Sequence, residues 1–383
     1  MRILFISVWS FDSGIFQSTI PPTIEFWIEN NLAEKVEVIT FGETSKSSSA
    51  FNGRIVYKTI RTPFPSNPMF RFLFQLKSLF NIARNGGFQL IWARSVTPGN
   101  LAYLTSLISR IPFGVESFEP HTDYMIEGGA WKPKSLKSIV QHFLERRIAR
   151  KAKILVTVSD KFKEIIQLKF YRKPNSTFSM QCAINFEKFK FNLAERVKMR
   201  DKLSYNTDDN VGIYVGKFGD IYYDKETFNY IHHISQLDQK NKFIIITEMV
   251  EFARAEKKRL KISDSQLIIL TLPHSEVSLY LSAADYGICP VKESTSRQFC
   301  SPIKTGEYFA SGLPVIISRG IGEDSDFIEK MGFGKVIDFR NASTFEYSSF
   351  EGMDRSLIAD ESHSFRSALV LFSKYISILK QSY

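Results

Sequence analysis

The sequence is poor in the features that mark several common classes of protein. Its three cysteines, Cys182, Cys289 and Cys300, are odd in number and show no CxxC spacing. That argues against a disulfide framework and a structural zinc, and the thiols read as reduced and mostly buried. No apolar run reaches the roughly 18 residues that a membrane span needs. The opening strand Arg2–Val8 is too short for a secretory core and lacks a small-residue cleavage site, so the expected location is cytoplasmic. The sequence reads as lacking HxxxH, DxD and any carboxylate cluster with metal spacing; Asp208-Asp209 lies in a polar stretch, and Asp220 and Asp224 flank tyrosines. No metal and no cofactor is therefore expected. The GxGxxG fingerprint is missing as well. Arg319-Gly320-Ile321-Gly322 follows a strand, but Ser325 stands where the third glycine belongs, which disfavours a dinucleotide-dependent oxidoreductase. No repeat of solenoid period is visible, and the low-complexity content is confined to the polar loop Thr44–Ser49.

What is present is an ordinary soluble composition, 44% hydrophobic and 23% charged, in a chain of 383 residues, long enough for two domains with separate cores. The formal charge of +10, with a pI near 9.3, favours anionic partners. The densest basic run, Trp131–Lys153, places Leu136, Ile139, Val140, Phe143, Leu144 and Ile148 at helical spacing. It reads either as a domain helix with a solvated basic face or as a surface that rests on an anionic membrane. A nucleic-acid module would cluster aromatics with basic residues on one sheet; the 34 phenylalanines are instead dispersed through apparent core positions, so no nucleic-acid partner is expected.

Strand and helix patterns alternate from end to end. Candidate strands are Ile3–Val8, Val36–Phe41, Ile55–Ile60, Leu90–Ala93, Gly114–Phe118 and Ile154–Val158, then Val211–Val215, Phe243–Thr247, Leu267–Leu270, Tyr286–Cys289, Pro314–Ile317 and Lys335–Ile337. Helical patterns around Thr23–Ala33, Phe70–Ala83, Asn100–Ser109 and Leu136–Arg150 separate most of the first set. The periodicity predicts an α/β fold of two Rossmann-like domains facing a central cleft, with ligands at the carboxyl ends of the strands. The expected divisions are 1–184 for a first Rossmann-like domain, 185–210 for a polar interdomain connection, 211–360 for a second Rossmann-like domain, and 361–383 for a terminal helix that packs on either.

The most informative stretch is SPIKTGEYFASGLPVIIS, Ser301 to Ser318. Ser301 suits an N-cap and Pro302 a first helical residue. The amides of Ile303 and Lys304 are then free, and with the helix dipole they form an anion site to which Lys304 adds a full charge. Glu307 lies five residues beyond Pro302, roughly 7 Å further at the helical rise, where it could accept hydrogen bonds from the hydroxyls of a sugar attached to a bound phosphate. The bland alternative is an i,i+3 pair of Lys304 and Glu307 on a helix surface. Gly312 closes the helix before the next strand.

The run Ser301-Pro-Ile-Lys-x-x-Glu-Tyr-x-Ala-x-Gly-x-Pro-Val-Ile316 resembles the donor-site segment of the family 4 retaining glycosyltransferases of the GT-B fold. Tyr214-Val-Gly-Lys217, Val158-Ser159, Cys182-Ala-Ile-Asn185 and Ala283-Ala-Asp-Tyr-Gly-Ile-Cys-Pro290 are similar to further landmarks of that family. The resemblance implies a nucleotide diphosphate sugar as donor, bound by the domain 211–360, and a saccharide or lipid-linked saccharide as acceptor, on the side of the domain 1–184. It also implies a metal-independent reaction with retention, in surface polysaccharide biosynthesis. Position by position, it implies diphosphate contacts from Gly216, Lys217 and Lys225, a distal phosphate on the amides after Ser301-Pro302, and the nucleotide ribose on Glu307. Gly14 corresponds to the glycine-rich approach to the phosphates, and His121 to a histidine beside the donor sugar. His121, Lys217 and Glu307 form the implied catalytic set. The pattern is broken at Phe299, where the family commonly carries an acid. That departure keeps open a binding-only relative of the same fold, a protein that holds a nucleotide sugar or an anionic surface without turnover.

Overall fold

The computed structural model describes residues 1–63, 67–344, 350 and 352–380. They form two compact units. One holds Met1–Ile126, Trp131–Gln181 and the chain from Leu371 on; the other holds Glu127–Ala130 and Cys182–Val370.

The first unit carries strands β1 (Arg2–Ile6), β2 (Lys35–Gly42), β3 (Lys46–Ala50), β4 (Ile55–Arg61), β5 (Leu90–Arg94), β6 (Phe113–Phe118), β7 (Ile154–Thr157) and β8 (Thr177–Ser179). Its helices are α1 (Gly14–Glu29), α2 (Pro68–Asn85), α3 (Val96–Ser109), α4 (His121–Glu127), α5 (Leu136–Lys151) and α6 (Asp160–Phe170). The strands lie in the order β3-β4-β2-β1-β5-β6-β7-β8, parallel except for the β3–β4 pair. The polar run around Ser47 is thus an edge strand and not a loop; it lacks an apolar face and is held by pairing to β4. Helix α1 starts nine residues before the expected Thr23 and runs through Pro21-Pro22. Ser13 caps it by accepting from the amide of Phe16 at 3.3 Å.

The second unit opens with α7 (Phe186–Phe189) and α8 (Leu193–Lys202), followed by β9 (Asn210–Val215), α9 (Lys225–Leu237), β10 (Asn241–Ile246), α10 (Val250–Arg259), β11 (Leu267–Leu270) and α11 (Val277–Ala283). It continues with β12 (Tyr286–Cys289), α12 (Ile303–Ala310), β13 (Val315–Ser318), α13 (Asp324–Met331), β14 (Gly334–Ile337), α14 (Arg355–Arg366) and α15 (Ala368–Lys380). Its sheet is parallel throughout, in the order β11-β10-β9-β12-β13-β14. Both faces are covered, so β9 and β10 read as nearly continuous apolar runs.

Two stretches behave differently from their sequence reading. The polar segment 185–210 is folded into the second unit, where Phe186, Phe189, Met199 and Leu203 join the core. The apolar stripe of the terminal segment is divided at Ser367 between α14 and α15. Phe365 packs into the second unit, whereas Tyr375 is buried in the first, edge-on to Trp27 at 5.2 Å between ring centroids. Its hydroxyl donates to the carboxylate of Glu116 on β6, which also accepts from Arg94 at 2.8 Å.

Candidate functional site

In the second sheet the chain runs outward from β9 to β11 on one side and from β12 to β14 on the other. The order reverses between β9 and β12, and the loops leaving their carboxyl ends diverge there, which is where open parallel sheets take ligands. One of these loops carries Gly216 and Lys217; the other leads into α12. They are laced together by an antiparallel bridge between Tyr222 and Val291. The amide of Tyr223 donates to the carbonyl of Pro290, and that of Lys292 to the carbonyl of Ile221, each at 2.8 Å. Tyr308 on α12 fixes the helix to both strands: its hydroxyl accepts from the amide of Val215 at 3.1 Å and donates to the carbonyl of Ile288 at 3.3 Å. Gly287 permits this, because a Cβ there would fall 2.3 Å from the Tyr308 ring.

Helix α12 starts one residue later than the sequence suggests. Pro302 is the N-cap, and no described side chain caps the helix. Ser301 does not fill that role, because its Oγ accepts from the amide of Cys182 at 3.0 Å. The first amides, those of Ile303 and Lys304 among them, therefore lack an intrahelical partner. Arg366, fully buried, holds Asp324 through two hydrogen bonds of 2.6 and 2.8 Å and donates to the carbonyls of Pro302 and Cys182 at the helix start. Gly306 admits this close approach: a Cβ there would lie 2.5 Å from Ile184 and 2.9 Å from the guanidinium. At the other end Gly312 takes a φ of 64°, with Arg355 too close for any side chain.

Glu307 is only 1% exposed. One carboxylate oxygen meets His274 Nε2 at 2.9 Å and the other meets Lys304 Nζ at 2.8 Å. Lys304 and Glu307 thus do pair at i,i+3, but in a buried setting and not on a helix surface. Burial pushes the Glu307 carboxyl up, yet the His274 hydrogen bond and the Lys304 charge outweigh it and hold it below the ordinary carboxylate value.

The remaining donor-side residues are more open. Lys217 is exposed and pairs with Asp220 at 2.6 Å, while the carbonyl of Lys217 accepts from the Tyr214 hydroxyl. Gly216 lies between them, with space for a Cβ limited by Tyr214 at 3.1 Å. Lys225 is the exposed first residue of α9, capped by Asp224.

In the first sheet the reversal falls between β1 and β5. Gly14 is the exposed first residue of α1, at the end of the loop that leaves β1, with open space around it. His121 opens α4 beyond β6, with Nδ1 3.9 Å from Glu119 and its ring edge-on to Trp131 at 5.5 Å. The amide and hydroxyl of the next residue, Thr122, donate to the buried Glu145 on α5 at 3.0 and 2.7 Å. Gln141 adds a 3.4 Å contact and is itself bonded to Asn100 at 2.8 Å. Burial pushes the Glu145 carboxyl up to about 7, against the lowering effect of these hydrogen bonds. This network turns the polar side of α5 inward. Ser138, Gln141, Glu145, Ile148 and Ala149 face inward, and Leu136, Ile139, Val140 and Phe143 are exposed.

His274, Tyr308, Arg366 and Glu145 were not singled out in the sequence. His274 follows the carboxyl end of β11, a position that the strand-end rule could have flagged. The reading that the chain lacks a DxD is corrected by Asp324-Ser325-Asp326, whose Asp324 is committed to Arg366. Among the described residues no group of three or more His, Cys, Asp or Glu side chains is arranged to hold a metal. Phe299 is buried, and Glu293 pairs with Arg340 at 3.1 Å. A groove of about 550 Å³ between α10 and the edge strand β11 contains none of the candidate residues, and its Lys257 is tied to Asp264 at 2.7 Å.

No protein-family model matches the chain, and no curated protein matches it in sequence. Solved structures match it over almost its whole length. HepE of Anabaena, in complex with UDP and glucose, is 13% identical and covers 99% of each chain with a TM-score of 0.69. An α,α-trehalose 6-phosphate synthase from Burkholderia multivorans is 10% identical, covering 99% of this chain and 98% of its own, with a TM-score of 0.68. WaaG, a glycosyltransferase involved in lipopolysaccharide biosynthesis, is 13% identical, with coverage of 99% and 93% and a TM-score of 0.63. The fold is GT-B. Among the described residues no helix is long and apolar enough to cross a membrane.

Proposed function

We propose that this chain is a retaining glycosyltransferase that moves a sugar from a nucleotide diphosphate sugar to a saccharide or lipid-linked saccharide, in surface polysaccharide assembly. One arrangement carries the reading. At the strand-order reversal of the second sheet, the loop that carries Lys217 is laced to the loop that leads into α12, whose uncapped start precedes Lys304 and the buried, ionised Glu307. The amides of Ile303 and Lys304 bind the distal phosphate, with Ser301 and Pro302 setting the helix start. Lys217 serves the diphosphate, and Gly14, Gly216 and Lys225 are assigned to donor binding. Glu307 accepts from the ribose hydroxyls and His121 attends the donor sugar. As the glycosidic bond breaks, negative charge grows on the departing phosphate, and fixed dipoles and ammonium groups stabilise it without a metal. The acceptor hydroxyl attacks from the face the phosphate leaves, and a phosphate oxygen takes its proton, so the configuration is retained.

Calorimetry with UDP- and GDP-sugars tests the reading. Glu307→Ala is expected to weaken donor binding about 100-fold, as loss of charge-assisted hydrogen bonds in a desolvated site implies. Unchanged binding and turnover in that variant would overturn it. Phe299 in place of an acid favours a second reading, binding without turnover; donor hydrolysis and transfer assays separate the two.

The proposal includes peripheral contact with an anionic membrane on its cytoplasmic face, through α5. Leu136 is 78% exposed, and Ile139, Val140 and Phe143 lie on the same side, accompanied by Arg146, Arg147 and Arg150. Arg147 lies over the Phe143 ring at 4.9 Å. Vesicles with acidic head groups should retain the protein at low salt and lose it on Ile139→Ser with Phe143→Ser, by about tenfold, from burial of two large apolar side chains. Failure of the wild-type protein to bind them sinks this part.

A further inference from the structure

The position of His274 carries an inference that rests on the assignment of Glu307 to the ribose. His274 stands in the loop after β11, where its imidazole bridges two elements of the second unit. Nε2 lies 2.9 Å from Glu307 Oε1 on α12, and Nδ1 lies 3.3 Å from Lys188 Nζ on α7. The ring also packs edge-on against Phe189 at 5.7 Å.

The chemistry of these partners fixes the proton. An ammonium has only protons to give, so Nδ1 accepts from Lys188; the ring proton then sits on Nε2 and is donated to Glu307. Lys304 gives a proton to the other carboxylate oxygen. Each oxygen has two acceptor directions, so one on each oxygen is taken and one on each remains. A carboxylate pinned at both oxygens by donors from different elements cannot rotate. Its two spare directions are thereby set in advance, a geometry suited to the adjacent hydroxyls of a ribose, which come as a pair. The side chains of His274 and Lys304 are 32% and 25% exposed, against 1% for Glu307, so they are the solvent-facing members of the cluster.

We propose that His274 is a positioning residue of the nucleotide site, holding the Glu307 carboxylate in the orientation that accepts a ribose diol. It does not itself touch the phosphates. Removing it should therefore weaken recognition of the ribose and leave recognition of the diphosphate intact.

The test compares UDP and GDP, the 2′,3′-dideoxy form of whichever binds, and inorganic pyrophosphate, by calorimetry on wild-type protein, His274→Phe and His274→Gln. His274→Phe keeps the ring volume and lacks the donor; it should lose about tenfold in affinity for the nucleotide, the value of one hydrogen bond to a charged acceptor. It should bind the dideoxy nucleotide and pyrophosphate as wild type does. His274→Gln, which retains an N–H donor, should recover most of the loss. Equal affinity of wild type and His274→Phe for the nucleotide overturns the inference. So does an equal loss for nucleotide, dideoxy nucleotide and pyrophosphate, the signature of a merely structural role. If His274→Phe does not fold, His274→Leu takes its place: a loss confined to the ribose-bearing nucleotide supports the inference, and no loss, or one that is the same with the dideoxy nucleotide, overturns it. Binding of neither UDP nor GDP to wild-type protein overturns the donor assignment, and the inference with it; ribose-dependent binding that survives in His274→Phe overturns the inference alone.

Discussion

Glu145 in the first unit and Glu307 in the second are both buried among polar partners, and the two shift in opposite directions. Glu307 in the second unit faces an ammonium and an imidazole N–H, and its carboxyl is held below the ordinary range. Glu145 in the first faces a backbone amide, a hydroxyl and a carboxamide, with His142 no nearer than 4.0 Å, and its carboxyl rises to about 7. Burial opposes ionisation at both; the charge of the partners decides which side wins. The difference fits the ribose contact proposed for Glu307 and the structural tie made by Glu145. A group that must accept hydroxyls has to be ionised whether or not ligand is present. A group that ties α4 to α5 can do so with its proton on or off.

The comparison can be broken most severely at Glu145. Its folded-state carboxyl lies above the ordinary 4.5. Between about pH 4.5 and 7 the folded chain therefore keeps a proton that the unfolded chain releases, and stability falls as pH rises through that window. The full effect is at most about 3 kcal/mol. Glu145→Gln should remove this slope, as read from thermal unfolding of the chain at pH 5 and pH 7.5. A slope that persists unchanged would mean that Glu145 titrates like an exposed carboxylate.

A smaller effect sharpens the contrast between buried and exposed pairs. Lys217 and Asp220 form an ion pair as short as that of Lys304 with Glu307, but both are exposed. Lys217→Ala should alter stability by no more than about 0.5 kcal/mol and weaken nucleotide diphosphate binding by about tenfold, the value of one charge-assisted contact. A stability loss without an affinity loss would reverse the roles of the two pairs.

Much of the architecture was legible in the sequence because parallel strands buried on both faces leave long apolar runs. Every strand read from those runs is present. The misses share a cause: they depend on partners distant in the chain. Lys46–Ala50 has no apolar face and becomes a strand only through β4. Periodicity identified α5 as a helix but could not say which side faces inward, because Asn100 and Thr122 supply the polar partners that draw Gln141 and Glu145 inside. The donor segment was recognisable because Lys304, Glu307 and Gly312 lie within one helix. His274 lies 33 residues from Glu307, and Arg366 lies 42 from Asp324, separations at which no local pattern links the pairs.

The hydrogen bond between Tyr375 and Glu116 spans 259 positions, and it has a consequence for biogenesis. As the ribosome delivers the chain, the indoles of Trp27 and Trp92 emerge early and wait for a lid that is translated only after the entire second unit. The first unit therefore cannot complete its interior in the order of synthesis, and its maturation is tied in time to that of the other unit.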